Sequence, residues 1–410
     1  MKLAGVASFR WQPQTAPRLD LLEQSWLHKG MLWFYIPAAW PLWRVGILAF
    51  LLLAALAGWW IVWLGASLAG RAAAFMLLLL AADTLWLAAL PRLGVSWGEW
   101  QSHLFVLAAP RLLLAAAAAL LARWWQVDGV LVLLAAGQLL GTVLLLWGTW
   151  VEPHRLSLTR LTIAVPGLVA PLRLLHVSDL HVERLSRRER WVLALARQAN
   201  PDLILITGDY LNLSYVYDEA AQAASRQVLR QFAAPLGVYA TLGSPPLDVR
   251  EIMPAFFQDL PIHLLRHEAC ILSLENGQRL ALLGIDCSHD LPYDGAILSE
   301  LAAAVPDTIP RILLYHSPEL MPQAAACGID LYLCGHTHGG QVRLPLYGAL
   351  ITSSQLGKQY EMGHYQSGRT HLYVSRGIGL EGLSAPRVRF LCPPEITLVT
   401  LQPLIQDGGS

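Results

Sequence analysis

The pattern of hydrophobic and polar positions divides the chain into two halves. In the first half, residues 45–70 and 129–150 carry no charge, and residues 72–91 and 104–122 carry one charge each. A helix of about 20 apolar residues crosses the ~30 Å hydrocarbon layer of a bilayer. We therefore predict an all-α bundle of four transmembrane helices. Residues 31–43 contain two prolines and are too short to span, so we expect them to lie along the interface.

The second half alternates short apolar runs with segments of helical spacing. Helical spacing is found at residues 188–198 and 219–232, and strands are predicted at 172–177, 203–206, 238–242, 279–285, 311–315, 331–334, 372–374 and 395–401. Strands that alternate with helices are typical of a layered α/β domain, here with two sheets.

These patterns predict four segments along the chain. They are an N-terminal cytoplasmic or interfacial segment at 1–44, a transmembrane domain at 45–150, a linker at 151–170 and an α/β domain at 171–410. Composition supports a boundary near residue 151, because 15 of the 16 Trp lie before it. Many of these Trp fall near the ends of the predicted helices, as interfacial aromatic residues do.

The charge distribution indicates the orientation and excludes one class of partner. Residues 1–150 hold 9 Lys and Arg against 5 Asp and Glu, and the remainder holds 20 against 24. Neither half is basic enough to suggest a nucleic-acid partner. Basic residues flank the predicted bundle on one side, so the positive-inside rule places the second half in the cytoplasm and the bundle in the cell (inner) membrane as a multi-pass protein. Five Cys without CxxC spacing agree with a reducing compartment.

Two charged residues lie within the predicted spans. Asp83 falls in the second span and Arg111 in the third, next to Pro110. A charge within the membrane is energetically costly and commonly marks a functional site, so one interpretation of the two residues is functional. The structural alternatives are an Asp83–Arg111 ion pair between neighbouring helices, or an Arg111 side chain that extends to the interface.

Residues that bind metals follow four of the predicted strands directly. At the carboxyl edge of an α/β sheet, where ligands bind, the sequence places Asp179, His181, Asp209, His316, His336 and His338. Each alone has a structural explanation, since Asp caps helices and single His residues are often buried groups. Together they predict a two-metal site, and such sites mostly perform phosphoryl chemistry.

In order and spacing these residues resemble the calcineurin-like metallophosphoesterases. The resemblance rests on Asp179-x-His181, Gly208-Asp209, His316 and the block Gly335-His336-Thr337-His338-Gly339-Gly340-Gln341. The GHTHGGQ block narrows it to the bacterial membrane-associated branch. It implies that residues 171–410 form a phosphoesterase domain with a four-layer α-β-β-α sandwich, preceded by the helical bundle.

The resemblance also implies a role for each residue. Asp179, His181 and His338 would hold one divalent metal ion, and His316 and His336 a second. Asp209 would bridge the two ions, and Arg376, within a family block, would contact the phosphate. Carboxylate and imidazole ligands suit Mn, Fe or Zn rather than Ca²⁺.

The sequence departs from the family after the third strand of the domain. The family has Asn and His there, to bind the second metal and assist the leaving group, but this chain has Ser244 and Pro245. Ser is a weak metal contact, and Pro has no acid–base group. Three alternatives stay open: a phosphoesterase whose leaving group needs no acid, help from residues elsewhere, or a binding or regulatory module without catalysis. The residues that could help are Asp248, His263, His267 and His289.

The function that these features predict is a membrane-anchored, metal-dependent phosphohydrolase. It would cleave a phosphoester or pyrophosphate bond with hydroxide activated by the metals. Attachment to the bilayer suggests a lipid-linked phosphorylated substrate.

Overall fold

The computed structural model describes residues 1–11 and 26–404. The chain forms two compact units. The first unit comprises the described residues of Met1–Gln24, Glu152–Leu380 and Arg389–Ser410, and the second those of Ser25–Val151 and Glu381–Val388.

The first unit contains all strands of the described residues: β1 (Leu3–Arg10), β2 (Ser157–Val165), β3 (Leu172–Val177), β4 (Leu203–Ile206), β5 (Val238–Ala240), β6 (His263–Leu264), β7 (Glu268–Leu274), β8 (Arg279–Gly284), β9 (Arg311–Leu314), β10 (Leu331–Cys334), β11 (Arg343–Leu344), β12 (Gly348–Ala349), β13 (Gly363–Ser367), β14 (Thr370–Val374) and β15 (Glu395–Pro403). The α-helices are α1 (Trp26–Tyr35), α2 (Leu42–Leu64), α3 (Ala66–Ala89), α4 (Trp100–Leu121) and α5 (Val127–Leu146) in the second unit, and α6 (Arg187–Ala199), α7 (Glu219–Leu229), α8 (Met253–Phe257), α9 (Leu291–Ala303) and α10 (Met321–Ala326) in the first.

Two mixed sheets form the centre of the first unit. One has the order β2-β15-β3-β4-β5-β6, and the other has the order β1-β7-β8-β9-β10-β14-β13. Strands β3, β4 and β5 run parallel, as do β8, β9, β10 and β14. All carboxyl ends of a parallel set meet at one edge of its sheet, so the loops that follow these strands are neighbours.

The strands read as continuous apolar runs because both of their faces are buried. Leu172 and Leu174 of β3 belong to a cluster shared with Leu282 and Leu314 of the other sheet, which places the sheets face to face. The outer face of the first sheet packs against α6, α7 and α8, and that of the second sheet against α9 and α10. This is the predicted four-layer α-β-β-α sandwich.

Local signals fix the helices that cover the first sheet. Ser186 caps α6 in a capping box with Glu189, and Asp218 caps α7 by accepting from the Ala221 backbone N–H. Asn200 ends α6 in the left-handed conformation, directly before Pro201. Such caps satisfy backbone donors and acceptors that have no partner within the helix.

Two strands fall in segments for which sequence analysis predicted no sheet structure. β2 lies in the predicted linker 151–170 and pairs in parallel with β15. β1 lies in the predicted N-terminal segment 1–44 and pairs antiparallel with β7, which was itself not predicted. β1 is an almost wholly exposed edge strand in which apolar and polar residues do not alternate, whereas Leu161, Ile163 and Val165 of β2 do alternate with other positions.

In the second unit, α2, α3, α4 and α5 are long and apolar enough to cross a membrane, in agreement with the predicted number. The boundary between the first two helices differs from the predicted span 45–70. Gly65, at φ +87, ends α2, and α3 starts at Ala66. A glycine at positive φ commonly ends a helix, because glycine adopts such conformations without strain.

The two charged residues within these helices form one buried network. Arg111 of α4 donates two hydrogen bonds to Asp83 of α3, at 2.7 and 2.9 Å, and further bonds to Gln138 and Thr142 of α5. Each charge therefore has a partner, as buried charges require. This confirms the ion pair among the open alternatives and corrects the alternative in which Arg111 extends to the interface.

Candidate metal centre

The six residues with metal-binding side chains meet where the carboxyl ends of β3, β4, β9 and β10 converge. Asp179 follows β3 and Asp209 follows β4 in one sheet, while His316 follows β9 in the other. The backbone N–H of His336, after β10, donates to Asp179 Oδ1 at 2.9 Å, so loops of the two sheets are joined at the site. All six residues are buried.

Five of the six residues adopt a left-handed backbone conformation. Positive φ angles occur at Asp179, His181, Asp209, His336 and His338, with values from 41° to 69°. This conformation costs energy for any residue with a Cβ atom and clusters at functional sites. The backbone is thus strained at five of the six residues that turn a candidate ligand inward.

The first cluster consists of Asp179, His181 and His338, whose potential ligand atoms all lie within 4.8 Å of one another. His338 Nε2 is 3.6 Å from Asp179 Oδ1, and the His181 and His338 rings are 4.7 Å apart. Burial lowers the pKa of His181 to about 3, so the ring is neutral and offers a lone pair. Among the described residues, neither ring nitrogen of His181 has a hydrogen-bond partner, and Asp179 Oδ2 also lacks one.

The second cluster consists of Asp179, Asp209 and His316, again within 4.8 Å. Asp209 Oδ2 lies 3.0 Å from His316 Nε2 and 3.7 Å from His181 Nε2, so this oxygen reaches both clusters. Asp179 is common to the two clusters, whereas sequence reasoning gave the bridging position to Asp209 alone. Two clusters that share a carboxylate have the layout of a two-metal site.

The carboxylates around His316 favour a positive charge in the second cluster. Its Nδ1–H donates to the Thr207 carbonyl at 2.6 Å, so a neutral ring would point its Nε2 lone pair at Asp209 Oδ2. Burial disfavours the charged ring, but Asp209 and Asp179 raise the pKa of His316 to about 10. A proton on Nε2 therefore supplies the positive charge, and a divalent metal ion would take its place and release it. The residues of both clusters fit metal ions.

His336 lies next to the second cluster but belongs to neither group of mutually close ligand atoms. Its Nε2–H donates to the Ser353 carbonyl at 3.0 Å, which leaves Nδ1 as the free ligand atom. Nδ1 faces the Ser244 hydroxyl at 3.4 Å, and the His316 and His336 ring centroids are 5.1 Å apart. A hydrogen bond on one ring nitrogen commonly orients the other toward a metal.

Ser244 and Asp248 shape the turn that replaces the family's Asn-His pair. The Ser244 backbone N–H donates to Asp209 Oδ1 at 2.8 Å and thereby leaves Oδ2 facing the clusters. Asp248 accepts hydrogen bonds from the backbone N–H groups of Asp209, Tyr210 and Gly243, at 2.8, 3.1 and 2.6 Å. Burial and the charge of Asp209 raise the pKa of Asp248 to about 7. Asp248 is therefore a support for the site.

The three other candidate helpers are separated by the structure. His263 is exposed and stacks on Tyr239. His267 contacts Trp11 and Tyr293 instead of the clusters. His289, in contrast, is fully buried beside Ser244 and His336.

Arg376 is held by polar neighbours of its own, whereas Arg389, for which sequence analysis predicted no role, lies beside the first cluster. The Arg376 guanidinium forms an ion pair with Glu395 and hydrogen-bonds the hydroxyls of Ser157 and Thr159 on β2. The buried Arg389 guanidinium lies 3.5 Å from His338 Nδ1. Burial lowers the pKa of Arg389 to about 10, so it remains a cation at neutral pH. Sequence reasoning missed Arg389, because nothing in its irregular segment distinguishes it from a solvated arginine.

Comparison with known proteins agrees with this site. The profile of the family described as calcineurin-like phosphoesterase matches residues 172–340, which contain all six candidate ligands. The chain is 31% identical over 265 residues to the uncharacterized metallophosphoesterase YkuE of Bacillus subtilis, covering 62% of this chain and 89% of that protein. The chain belongs to the calcineurin-like phosphoesterase family.

Two further relatives carry names with an activity. Phosphodiesterase YaeI of Escherichia coli is 31% identical over 240 residues, which cover 57% of this chain and 83% of that protein. UDP-2,3-diacylglucosamine pyrophosphatase LpxG of Chlamydia muridarum is 23% identical over 320 residues, which cover 62% of this chain and 92% of that protein.

Proposed function

We propose that this chain is a membrane-anchored phosphohydrolase that uses two divalent metal ions to cleave a phosphoanhydride bond of a lipid-linked substrate. The observation that carries the proposal is the pair of buried clusters that share Asp179 and are both reached by Asp209. Four apolar helices support membrane anchorage, and the positive-inside rule favours a cytoplasmic site. The GHTHGGQ block supports membership of the membrane-associated branch of the family.

Each residue of the site has a distinct task in this proposal. Asp179, His181 and His338 hold one ion, while His316 and His336 contribute to the second. Asp209 would contribute to holding both ions, and the Ser244 N–H fixes its carboxylate by donating to Oδ1. When bound, the two ions would lower the pKa of a water molecule and neutralise charge on the phosphoryl oxygens. Arg389 adds a fixed positive charge beside His338. Arg376, paired with Glu395, orients the loop after β14 and does not contact the phosphate.

Pro245 favours a phosphoanhydride substrate over an alkyl phosphoester. The family's His at this position assists the leaving group, and Pro has no proton to give. A phosphate leaving group needs no such help, because it is stable as an anion and its last pKa is about 6. An alkoxide leaving group would need a general acid, whose loss typically costs about 10²–10⁴-fold in rate. The pyrophosphatase name of the relative LpxG agrees with this preference.

A hairpin next to the site supports a substrate with acyl chains. β11 and β12 form this hairpin directly after the His336–His338 turn, and Arg343 ties it to that turn through the Gly339 carbonyl. Around its tip, large apolar side chains are exposed at Leu344, Leu346, Tyr347, Leu350 and Ile351. Exposed apolar patches mark binding surfaces, and acyl chains would cover this one.

The proposal is tested by turnover of the purified full chain in detergent. We expect metal-dependent hydrolysis with Mn²⁺ that chelation removes and added metal restores. A nucleoside-diphosphate-linked acyl lipid should be cleaved in preference to an alkyl phosphomonoester, with p-nitrophenyl esters as activated references. Metal-independent turnover, or preference for the alkyl ester, would contradict it.

The replacement of Asn-His by Ser244-Pro245 also favours a second function, a binding or regulatory module. In that case the site would bind metal and a phosphorylated ligand without turnover. The same sample distinguishes the two functions when metal content and turnover are measured together. Two bound ions with no hydrolysis of any phosphoanhydride or phosphoester would favour the module.

Removing apolar side chains from the hairpin should weaken binding of the lipid substrate but not of a substrate without acyl chains. We expect the double variant L346N, L350S to raise KM for a long-chain lipid pyrophosphate about tenfold or more, since burying one Leu contributes about 1.5–3 kcal/mol. Leu346 has φ +65, which Asn adopts readily, so the backbone should be retained. Steady-state kinetics on long-chain and chain-free pyrophosphates measures the effect.

The control for the hairpin is Val169→Ser, which removes another exposed apolar side chain, from the turn between β2 and β3. This variant should leave KM unchanged for both the long-chain and the chain-free substrate. If the hairpin variant slowed the chain-free substrate as much as the lipid, the hairpin would have no specific role with acyl chains.

A further inference from the structure

His289 is a buried imidazole near the site that neither the fold nor the six candidate ligands explain. It follows β8, has no exposed surface, and adopts φ +61, the left-handed conformation found at five of the six ligands. Strain of this kind persists where the surroundings require it. The residue therefore shares the backbone signature of the site.

The ring of His289 has weak partners only, and one of them leads to the site. Cys287 Sγ lies 3.6 Å from both ring nitrogens, and sulfur is a weak hydrogen-bonding atom. Nε2 lies 3.4 Å from the Ser244 hydroxyl, which in turn lies 3.4 Å from His336 Nδ1. Ser244 thus sits between the two imidazoles, at the position where the family has its metal-binding Asn.

The spacing of the rings fits imidazoles around one ion. An ion about 2.0–2.1 Å from a ring nitrogen is about 3.2 Å from the ring centre, so two rings on one ion have centres about 5 Å apart. The His289–His336 and His316–His336 centroids are 4.8 and 5.1 Å apart. The His181–His338 pair of the first cluster, at 4.7 Å, has the same spacing.

We propose that His289 is a ligand of the second metal ion and takes the place that the missing Asn would fill. The second ion would then be held by His289, His316, His336 and Asp209. Ser244 would stay beside it, since its N–H donates to Asp209 and its hydroxyl lies next to the His289 and His336 rings. This inference rests on the metal centre of the proposed function, but not on its activity.

A set of three imidazoles and a carboxylate has a chemical consequence. Replacement of an amide oxygen by an imidazole shifts the site toward borderline metals such as Zn²⁺ and Fe²⁺, since nitrogen ligands suit these better than Mg²⁺ or Ca²⁺. The imidazole of His289 then compensates for the loss of the metal-binding Asn at position 244. Of the four residues considered as helpers, His289 alone is a buried imidazole whose ring lies beside the Ser244 hydroxyl.

The test is a metal-binding titration of the full chain in which His289 is replaced by Gly. Gly adopts φ +61 without strain, so H289G removes the imidazole while the backbone is retained. With Co²⁺, absorption spectra and metal analysis should show the first equivalent bound as in the wild type. The second should bind at least 10–100-fold more weakly. Added imidazole should restore part of that affinity, which a merely structural role would not allow.

The matched control is H267G, because His267 also has a positive φ of 51° but contacts Trp11 and Tyr293 instead of the clusters. It should bind both equivalents as the wild type does. The inference is overturned if H289G binds both equivalents unchanged, if it loses both alike, or if the wild type binds one ion only. If the wild type binds two ions without turnover, the proposed function fails and this inference stands.

Discussion

Replacing Asp209 by Asn should abolish metal-dependent hydrolysis while the protein stays folded. Asp209 Oδ2 is the oxygen that reaches both clusters, and an amide is a poor substitute for a carboxylate between two cations. A metal ion contributes several kcal/mol of charge stabilisation, and each 1.36 kcal/mol is a factor of ten. We therefore expect kcat to fall by roughly 10³–10⁵-fold, measured on an activated phosphoester at saturating Mn²⁺.

The local structure explains why the D209N variant should fold. The amide oxygen can keep the hydrogen bond from the Ser244 N–H, and the amide NH₂ can donate to Nε2 of a neutral His316. The isosteric change thus removes a charge without leaving a buried group unsatisfied. Retained thermal stability would separate loss of chemistry from loss of fold.

Asp259 provides the control for D209N. It is an exposed aspartate with the same left-handed backbone, at φ +61, and it lies outside both clusters. D259N should therefore be as active as the wild type. Turnover of D209N within about tenfold of the wild type would show that the second cluster does not perform the chemistry.

The positions of the candidate ligands were predictable because each follows a strand that is buried on both faces. The apolar run 203–206 followed by Asp209 identifies both the strand and the sheet edge at which a ligand lies. Because parallel strands have their carboxyl ends at the same edge of a sheet, these residues are expected to be neighbours. The structure indeed brings all six residues together, although their roles as ligands remain proposals.

Residues in irregular segments could not be predicted in the same way. His289 follows a predicted strand, but three residues of irregular chain separate it from the strand's predicted end. The sequence therefore did not determine whether its side chain faces the site. The charge of Arg389 suggests a surface, yet its guanidinium is buried because three backbone carbonyls accept from it: those of Arg376, Gly379 and Cys392. Such contacts depend on tertiary packing rather than on local pattern.

The strands β1 and β2, which lie outside the predicted α/β domain, differ in the signal that they carry. β2 has the alternating apolar residues of a half-buried strand, at Leu161, Ile163 and Val165, and could have been recognised. β1 is almost wholly exposed, and its partner β7 lies more than 250 residues away. Its pairing depends on an open sheet edge, which no local sequence pattern reveals.

Removing the carboxylate of Asp248 should destabilise the loops that carry the site. Three buried backbone N–H groups, those of Asp209, Tyr210 and Gly243, donate to it. A buried donor left without a partner costs about 1–3 kcal/mol, so we expect D248A to lower the free energy of unfolding by about 3–5 kcal/mol. This is a large part of a typical stability of about 5–15 kcal/mol. Denaturant titration of the full chain in detergent measures it.

The isosteric variant D248N tests whether the acceptor pattern, rather than the volume, is what matters. An amide keeps one acceptor oxygen, which can serve Asp209 and Gly243, but its NH₂ group would then face the Tyr210 N–H. Two opposed donors should cost about 1–3 kcal/mol and increase hydrogen exchange in residues 207–211 and 240–245. The control D202N keeps its one acceptor contact, with the Arg173 N–H, and should change neither quantity. Equal exchange in D248N and the wild type would show that Asp248 does not hold Asp209 in its strained, metal-facing conformation.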